Sequence, residues 1–379
     1  MKYYIISGEA SGDLHGSNLI KEIKKIDIDA SFRCWGGDLM KEQGGEIVKH
    51  YKDLAFMGFF EVLMKIRTIL NNIKWCKKDI IEHQPDAVIL IDYPGFNLRI
   101  ADFLKDKNIP VLYYISPQVW AWKKSRVLKI KRNVDRMFVI LPFEKEFYKN
   151  ENMEVTFVGH PLIDAIEEFK NNKASSSNDF KNNYQLDERP IISILPGSRR
   201  QELSLNLPVM LNALSNYNDY QVVIACAPSI NIEYYQSMII DHPNVKLIKN
   251  DTYNLLNQSF AAIVTSGTAT LETALFNVPQ VVCYKSSWIS YQIAKKLIKV
   301  KFISLVNLIL NKESVKELIQ NDLNENKLNV EVQKILETSN RNKIMKDYLE
   351  LKNICGGVGA SKITANEMLK TIQTEHPGI

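Results

Sequence analysis

Short runs of apolar residues recur along this chain and are separated by polar segments of helical length. In chain order the runs are Tyr3–Ile6, Ala87–Ile91, Val111–Ile115, Arg136–Leu141, Val155–Val158, Pro190–Leu195, Gln221–Cys226, Val245–Ile248, Ala261–Val264 and Gln280–Tyr284. Continuous apolar strands that alternate with helices are typical of parallel sheets covered by helices on both faces. The pattern therefore predicts an α/β protein built from doubly wound sheets.

A polar segment divides the two sets of strands. Residues 171–189 are mainly Asn, Ser, Lys and acidic residues with little to bury, which is typical of a linker. At 379 residues the chain suits two domains. We expect an N-terminal domain over 1–170 and a second over 190–344, with helices in 345–379 that complete the first. Ligands of such folds bind at the carboxyl ends of the strands, which predicts a cleft between the domains.

Composition and charge exclude several classes of protein. A hydrophobic content of 45% and a charged content of 24% are those of a soluble globular protein. The net charge of +5 does not indicate nucleic-acid binding. The five cysteines show no C-x-x-C spacing and the six histidines show no ligand spacing, so neither a disulfide framework nor a metal site is predicted. The first apolar run is too short for a signal peptide or a spanning helix, so we expect a cytoplasmic protein.

A glycine-rich loop, Ser7–Ser17 (SGEASGDLHGS), follows the first strand. Its glycines allow a tight turn and the close approach of a ligand, but the carboxylates of Glu9 and Asp13 would repel a phosphate. The loop is therefore either a turn in which Asp13 caps the next helix or a site for a hydroxyl-rich ligand. In the second case the candidate residues are Glu9, Ser11, Gly12, Asp13 and His15.

Asp92 opens the motif Asp92–Asn97 (DYPGFN) directly after an apolar strand. A carboxylate at a strand exit can act as a general base if a substrate hydroxyl comes within hydrogen-bond distance. The alternative is an Asp that caps a turn, which is common. A later loop, Ser116–Trp122, brings two tryptophans before a basic run that includes Arg126 and Lys129. That loop suits either a sugar or anionic-lipid contact or a packed aromatic corner followed by a solvated helix.

Two motifs in the second half have groups that suit a nucleoside diphosphate. Gly197, Ser198 and Arg199 stand between a strand and a helix, where backbone N–H groups, the helix dipole and a guanidinium favour a diphosphate. A capped turn with a surface arginine is the alternative. The second motif opens a helix after the strand Ala261–Val264 and places a glutamate one turn further along it. Its small hydroxyl residues suit phosphate contacts and its glutamate suits ribose contacts. The alternative is an ordinary N-cap with a solvent-facing glutamate. The candidate residues of this motif are Ser266, Gly267, Thr268 and Glu272.

The segment Phe56–Leu70 is the most apolar helical stretch of the chain. It carries more apolar residues than one core-facing stripe accommodates, and lysines and arginines flank it. Such a segment suits an interfacial membrane helix or an acyl-chain site, although a helix buried on two sides has the same pattern. The candidate residues of this patch are Phe56, Met57, Phe59, Phe60, Leu63 and Met64.

Motifs along nearly the whole chain together resemble the lipid-A-disaccharide synthase family. They are Ser7–Gly16 (SGEASGDLHG), Asp92–Asn97 (DYPGFN), Tyr114–Trp122 (YISPQVWAW), Leu141–Glu144 (LPFE), Phe157–Leu162 (FVGHPL), Leu195–Arg199 (LPGSR), Ser266–Glu272 (SGTATLE) and Ile303–Leu308 (ISLVNL). The resemblance implies an inverting glycosyltransferase of the GT-B type, with two Rossmann-like domains and a cleft between them.

The resemblance also implies the reaction and its setting. The family transfers 2,3-diacylglucosamine from UDP-2,3-diacylglucosamine to 2,3-diacylglucosamine 1-phosphate (lipid X), which gives the β(1→6) lipid A disaccharide 1-phosphate and UDP. It uses no metal or cofactor and sits peripherally on the inner face of the cytoplasmic membrane of Gram-negative bacteria. A homodimer is a further expectation.

By position, the resemblance assigns a role to several residues of this sequence. Asp92 matches the general base, Arg199 the arginine at the nucleotide sugar, Glu272 the ribose-contacting residue and Asn307 a polar residue near UDP. Two alternatives stay open: another GT-B enzyme acting on UDP-N-acetylglucosamine, such as a peptidoglycan transferase or an epimerase, and a non-catalytic lipid-binding protein. The apolar segment argues against the first and the paired donor motifs against the second.

Overall fold

The chain divides into two units, which we describe from a computed structural model. Unit 1 comprises Met1–Asp164 and Gly356–Ile379, and unit 2 comprises Ala165–Cys355. The structure describes residues 1–54, 66–122, 125–287, 291–292, 295 and 300–375. The chain therefore leaves unit 1, forms all of unit 2 and then returns to unit 1.

The described residues of unit 1 form a parallel sheet of seven strands. Strands β1 to β7 are Lys2–Ile6, Ser31–Gly36, Glu46–His50, Ala87–Ile91, Val111–Tyr114, Arg136–Val139 and Thr156–Phe157. Their order across the sheet is β3-β2-β1-β4-β5-β6-β7. The central strands β4 and β5 are buried along their whole length, as expected for strands covered on both faces.

Helices alternate with these strands. Helices α1 to α8 are Ala10–Ile26, Asp38–Glu42, Ile66–His83, Pro94–Leu104, Val119–Trp122, Ser125–Asn133, Pro142–Asn150 and Pro161–Asn172, and a 3-10 turn covers Tyr51–Asp53. Helix α8 contains the boundary at which the chain passes from unit 1 to unit 2.

The described residues of unit 2 form a second parallel sheet, of six strands. Strands β8 to β13 are Ile191–Leu195, Gln221–Cys226, Lys246–Lys249, Ser259–Thr265, Gln280–Tyr284 and Lys316–Ile319, in the order β10-β9-β8-β11-β12-β13. Helices α9 to α16 are Ser177–Tyr184, Arg200–Ala213, Ile232–Met238, Thr252–Gln258, Thr268–Leu275, Leu305–Leu310, Glu325–Leu336 and Thr338–Ile354, and a second 3-10 turn covers Gln320–Asp322. Two parallel sheets with alternating helices confirm the predicted α/β fold.

The unit boundaries differ in two places from those expected from the sequence. The segment 171–189 contains helix α9, in which Phe180 is buried, so it belongs to unit 2 instead of forming an extended linker. Residues 345–354 lie in helix α16 and, together with Cys355, belong to unit 2. There the buried Tyr348 hydroxyl donates to the carbonyl of Val278 (3.2 Å) and accepts from Nε2 of Gln280 in β12 (3.2 Å), which ties α16 to the second sheet.

The last described helix, α17 (Ala360–Glu375), packs against α1 in unit 1. Asp164 caps its first turn and accepts hydrogen bonds from the N–H groups of Gly359 (2.5 Å) and Ser361 (3.1 Å). A carboxylate at a helix N-terminus satisfies free N–H groups and complements the helix dipole. This cap fixes the point at which the chain rejoins unit 1.

In each unit the strand order reverses between two central neighbours. Strands β1 and β4 pair in unit 1, and β8 and β11 pair in unit 2. In open α/β sheets, ligands bind at the carboxyl ends of the strands at such a reversal. Four of the loops predicted to carry chemistry, those with Glu9, Asp92, Arg199 and Thr268, follow these four strands, so each unit brings two of them to one edge of its sheet.

Candidate active site

Asp92 lies in a strained turn between β4 and α4. Asp92 and Tyr93 both adopt left-handed backbone conformations, with φ of 44° and 47°. This region is uncommon for residues with a side chain and is frequent at functional sites. The carbonyl of Asp92 accepts hydrogen bonds from Asn97 Nδ2 (2.8 Å) and from the Tyr113 hydroxyl (2.5 Å). Sequence reasoning did not foresee this support, because Tyr113 comes from the neighbouring strand.

The carboxyl group of Asp92 is at the surface, yet it is surrounded by enough protein to disfavour its charge. Burial raises its pKa from 3.8 to about 6, the negative charge of Glu9 adds to the increase, and a hydrogen bond from the Tyr93 backbone opposes it. At neutral pH the group is mainly ionised but holds a proton more readily than an ordinary Asp. These are the properties of a general base.

Glycines allow the first-strand loop to lie against the Asp92 turn. A Cβ on Gly8 would lie 2.4 Å from the ring of Tyr93, and a Cβ on Gly12 would lie 2.7 Å from the Cβ of Ser7. No residue with a side chain fits at such distances. Gly8 therefore allows close packing of the loop on the turn, and Gly12 allows close packing within the loop itself.

The polar residues of this loop divide into exposed and buried ones. Glu9 and Ser11 are exposed at the start of α1, and Glu9 makes no capping hydrogen bond with its side chain. Asp13 is buried and its carboxylate caps α2 instead of facing a ligand. It accepts from the N–H groups of Gly37 (2.7 Å), Leu39 (3.1 Å) and Met40 (3.1 Å). The sequence indicated a capping role for Asp13, but toward α1 and not toward the more distant α2.

His15 and His160 lie close together in unit 1 and are held neutral. Burial lowers the pKa of His15 to about 4, and burial together with the nearby His15 lowers the pKa of His160 to about 3. His160 Nδ1 accepts from the N–H of Leu162 at 3.3 Å, whereas His15 Nδ1 is buried without a hydrogen bond. Both imidazoles are therefore uncharged at neutral pH.

In unit 2 the turn after β8 presents an exposed guanidinium. Arg199 is the N-cap residue of α10, and its side chain is 70% exposed. It forms a long ion pair with Glu202 (3.7 Å), which also accepts from the N–H of Ser198 (3.2 Å). Gly197 has a φ of 106°, which favours glycine. A bound anion would compete with Glu202 for the Arg199 guanidinium and the Ser198 N–H, two donors that suit a diphosphate.

The turn after β11 supplies a second set of donors. Gly267 is the N-cap of α13, and a Cβ there would meet no atom within 4 Å, so the helix N-terminus is open. Thr268 is exposed in the first turn. The hydroxyl of Ser266 is engaged, because it donates to the carbonyl of Ile303 at 2.8 Å. The open helix start therefore offers backbone N–H groups and the Thr268 hydroxyl to an anion.

Glu272 stands one turn further along α13. Burial raises its pKa, and the hydroxyl of Tyr253 opposes this by donating to its Oε1 at 3.1 Å. Tyr253 packs on Phe169 and Phe276 with ring centroids 5.4 and 5.2 Å away. Tyr253 was missed in the sequence because it comes from α12, after strand β10. The Tyr253 hydroxyl holds the carboxylate of Glu272, a group that accepts hydrogen bonds from hydroxyls such as those of a ribose.

Asn307 is fully buried and holds its own loop together. Its Nδ2 donates to the Val315 carbonyl (2.8 Å) and to Glu317 (2.9 Å), and its Oδ1 accepts from the N–H groups of Ser314 (2.8 Å) and Val315 (3.0 Å). All four hydrogen-bonding positions of the amide are occupied. In this structure Asn307 is thus a positioning residue for residues 303–308, and not the direct contact expected from the sequence.

The predicted membrane and acyl patch lies outside the described residues. Its members are Phe56, Met57, Phe59, Phe60, Leu63 and Met64. Helix α3 follows this segment and exposes Leu70 (47%) and Ile81 (42%). Over the parts of the chain that the structure describes, no helix is both long and apolar enough to cross a membrane.

Solved structures show the same fold at low sequence identity. A UDP-GlcNAc 2-epimerase from Neisseria meningitidis, bound to UDP-GlcNAc, has a TM-score of 0.71 at 15% identity and covers 98% of this chain and 100% of its own. A glycosyltransferase from Rickettsia africae has a TM-score of 0.59 at 16% identity and covers 98% of both chains. These similarities support the two-domain GT-B type of fold and do not assign an activity.

Sequence relatives are much more similar. The family model described as lipid-A-disaccharide synthetase matches residues 3–370. Relatives named lipid-A-disaccharide synthase are 40% identical in Syntrophus aciditrophicus and 36% identical in Trichlorobacter lovleyi, with 97% of both chains covered in each case. The two alternative functions are not favoured, because these relatives match over nearly their whole length. The chain is a glycosyltransferase and belongs to the lipid-A-disaccharide synthase family.

Proposed function

We propose that the protein transfers 2,3-diacylglucosamine from UDP-2,3-diacylglucosamine to 2,3-diacylglucosamine 1-phosphate, with Asp92 as the general base. The observation that carries this proposal is a carboxylate with a pKa of about 6, held in a strained turn at the strand-order reversal of unit 1. Membership of the family indicates the reaction, and the Asp92 carboxylate in this turn is suited to accept the proton that the reaction transfers.

The proposed step requires one proton transfer and one displacement. Asp92 takes the proton of the acceptor 6-hydroxyl, whose oxygen attacks C1 of the donor sugar from the face opposite UDP. The C1–O bond to UDP breaks, its electron pair leaves with the diphosphate, and the new bond has the β configuration. Burial and, to a smaller extent, the charge of Glu9 raise the pKa of Asp92, which favours acceptance of the proton.

Unit 2 is proposed to bind the donor. Arg199 and the open N-terminus of α13 would stabilise the negative charge that develops on the departing diphosphate. Glu272, held by Tyr253, would accept hydrogen bonds from the ribose hydroxyls. Thr268 would add a hydroxyl donor beside the phosphates. Asn307 would act through the loop that it stabilises.

Purified protein with both acylated sugars tests the reaction. We expect release of UDP and a disaccharide 1-phosphate of the expected mass. Asp92→Asn should abolish product formation while binding of the UDP-sugar persists. The matched control is Asp106→Asn, which changes an exposed Asp just after α4, the helix that follows Asp92, and should keep full activity. Turnover of unacylated UDP-N-acetylglucosamine alone, or full activity of Asp92→Asn, would contradict the proposal.

The donor site has its own matched pair of variants. Arg199→Gln should raise the KM for the UDP-sugar and lower kcat, because one guanidinium stabilises both the bound and the departing diphosphate. Arg200→Gln is the control, since Arg200 lies over the ring of Tyr234, 5.2 Å from its centroid. Equal effects of the two substitutions would refute a specific role for Arg199.

Peripheral attachment to the inner face of the cytoplasmic membrane is part of the proposal. On α3, Leu70, Lys74, Lys77 and Ile81 recur at helical spacing, so apolar and basic groups share one face. Leu70→Glu with Ile81→Glu should reduce co-sedimentation with anionic phospholipid vesicles, whereas Ile240→Glu, at a 75% exposed position in unit 2, should not. Unchanged binding of the double variant would exclude this face. Light scattering of the purified protein would test the expected homodimer.

A further inference from the structure

A cationic groove lies in unit 1 between helices α4 and α6, beside the turn that carries Asp92. Its volume is about 320 Å³, and its lining includes Arg99 from α4 and Arg126 and Lys129 from α6. Helix α4 begins two residues after Asp92. The groove therefore starts next to the proposed base.

The acidic residue that lines this groove already has partners. Asp102 accepts hydrogen bonds from Arg132 Nη2 (2.7 Å) and Asn133 Nδ2 (3.0 Å). The pKa of Asp102 is lowered mainly by the hydrogen bond from Arg132. The groove is lined by three positive side chains, those of Arg99, Arg126 and Lys129, and by the negative side chain of Asp102, whose pKa the charge of Lys129 also lowers.

Two observations connect the groove with the reacting end of the site. The Tyr113 hydroxyl donates a hydrogen bond to the Asp92 carbonyl, and the charge of Arg126 opposes the increase that burial causes in the pKa of Tyr113. A Cβ on Gly95 would meet no atom within 4 Å, which leaves the first turn of α4 open to the groove. An anion in the groove would therefore lie close to the carboxylate without displacing a side chain at Gly95.

We propose that this groove binds the phosphate monoester of the acceptor sugar, through Arg99, Arg126 and Lys129. The inference rests on the proposed function, in which the acceptor carries a phosphate and the attacking hydroxyl on the same sugar ring. The phosphate site must then lie within about the length of one sugar from the base. Guanidinium groups suit it because they bind phosphate oxygens through two parallel hydrogen bonds.

Steady-state kinetics with two acceptors test the groove. Arg99→Gln with Lys129→Gln should raise the KM for the phosphorylated acceptor about tenfold or more, the effect expected on losing hydrogen bonds to a charged group. The KM for the donor and the kcat at saturating acceptor should stay near those of the wild type. With an acceptor whose phosphate is replaced by a methyl group, the variant and the wild type should have equal KM values.

Lys131→Gln is the matched control, because Lys131 is exposed on the same helix but does not line the groove. It should leave the KM for both acceptors unchanged. An unchanged KM in the double variant would overturn the proposal. An equal rise in the KM for the acceptor without phosphate would also overturn it. A loss of binding to anionic vesicles with no change in the KM for the acceptor would overturn it as well, and would assign the groove to membrane phospholipid.

A binding measurement separates this inference from the proposed reaction. Glucosamine 1-phosphate, titrated into the wild-type protein and followed by NMR, should bind more tightly than glucosamine. The difference should disappear in the Arg99→Gln, Lys129→Gln variant and persist in Lys131→Gln. If no transfer is detected but this preference is found, the reaction is wrong and the phosphate site stands. If the double variant retains the preference, the phosphate site is wrong whatever the reaction.

Discussion

Replacing Asp92 by Asn should stabilise the protein at the same time as it abolishes transfer. The substitution removes the charge and keeps the shape of the side chain. Asn also tolerates the left-handed conformation that Asp92 adopts at φ 44°, so the turn should be retained. Its effect on stability should therefore report mainly on the burial of charge at this position.

The pKa of Asp92 gives the sign and the size of the effect. An increase from 3.8 to about 6 corresponds to about 3 kcal/mol at 1.36 kcal/mol per pH unit. Because the carboxyl group is at the surface, solvent screening reduces this, and we expect about 1 kcal/mol. The unfolded chain loses its proton near pH 4 and the folded protein near pH 6. The stability of the wild type therefore falls between these values and stays lower above pH 6.

Thermal unfolding as a function of pH is the assay. At pH 8 we expect Asp92→Asn to raise the Tm by about 2–4 °C, the shift that 1 kcal/mol gives in a unit of this size. At pH 2.5 the two proteins should have nearly the same Tm, because Asp92 is then protonated in both the folded and the unfolded states. Asp106→Asn is the control. An unchanged or lower Tm at pH 8, or an equal gain at both pH values, would refute the argument from buried charge.

Four further substitutions test the rest of the site. Glu9→Gln should lower the pKa of Asp92, so the acid limb of kcat/KM should move to lower pH by about half a unit or more, and an unmoved limb would argue against the coupling. Glu272→Gln should raise the KM for the UDP-sugar about tenfold, and Tyr253→Phe should raise it by less, because the Tyr253 hydroxyl only holds the carboxylate. A larger effect of Tyr253→Phe would indicate that its hydroxyl contacts the donor itself. Asn307→Ala should lower the free energy of unfolding by about 2–4 kcal/mol, measured in urea, because buried partners lose their hydrogen bonds. An effect of Asn307→Ala on donor KM without loss of stability would favour a direct contact.

The sequence predicted most of the strands and missed three, the interior strand β2 and the edge strands β3 and β13. Ala87–Ile91, Gln221–Cys226 and Gln280–Tyr284 have the same bounds in the structure as in the prediction. Strand β2 was missed because it includes Arg33, whose guanidinium pairs with Asp79 of α3 (2.8 Å). Strands β3 and β13 lie at the sheet edges and carry polar residues, so they lack the continuous apolar pattern of the interior.

For the candidate site, the sequence predicted which loops carry polar groups but not which groups are already engaged. Asp13 and Asn307 have the same polar character in sequence as Asp92 and Glu272. In the structure the first two are enclosed by hydrogen bonds within the fold. This difference depends on N–H groups at the start of α2, 24 or more residues after Asp13, and on Glu317, ten residues after Asn307. No local pattern contains that information.

The return of the chain to unit 1 has a consequence for its synthesis on the ribosome. Helix α17 covers α1 in unit 1, and it is made only after all of unit 2. Domains made earlier can fold while synthesis continues, so unit 2 is able to fold before unit 1 is complete. Until α17 emerges, the surface of α1 that it covers is accessible to chaperones. Removal of this helix should therefore damage the unit that was begun first, and not the unit that precedes the helix in sequence.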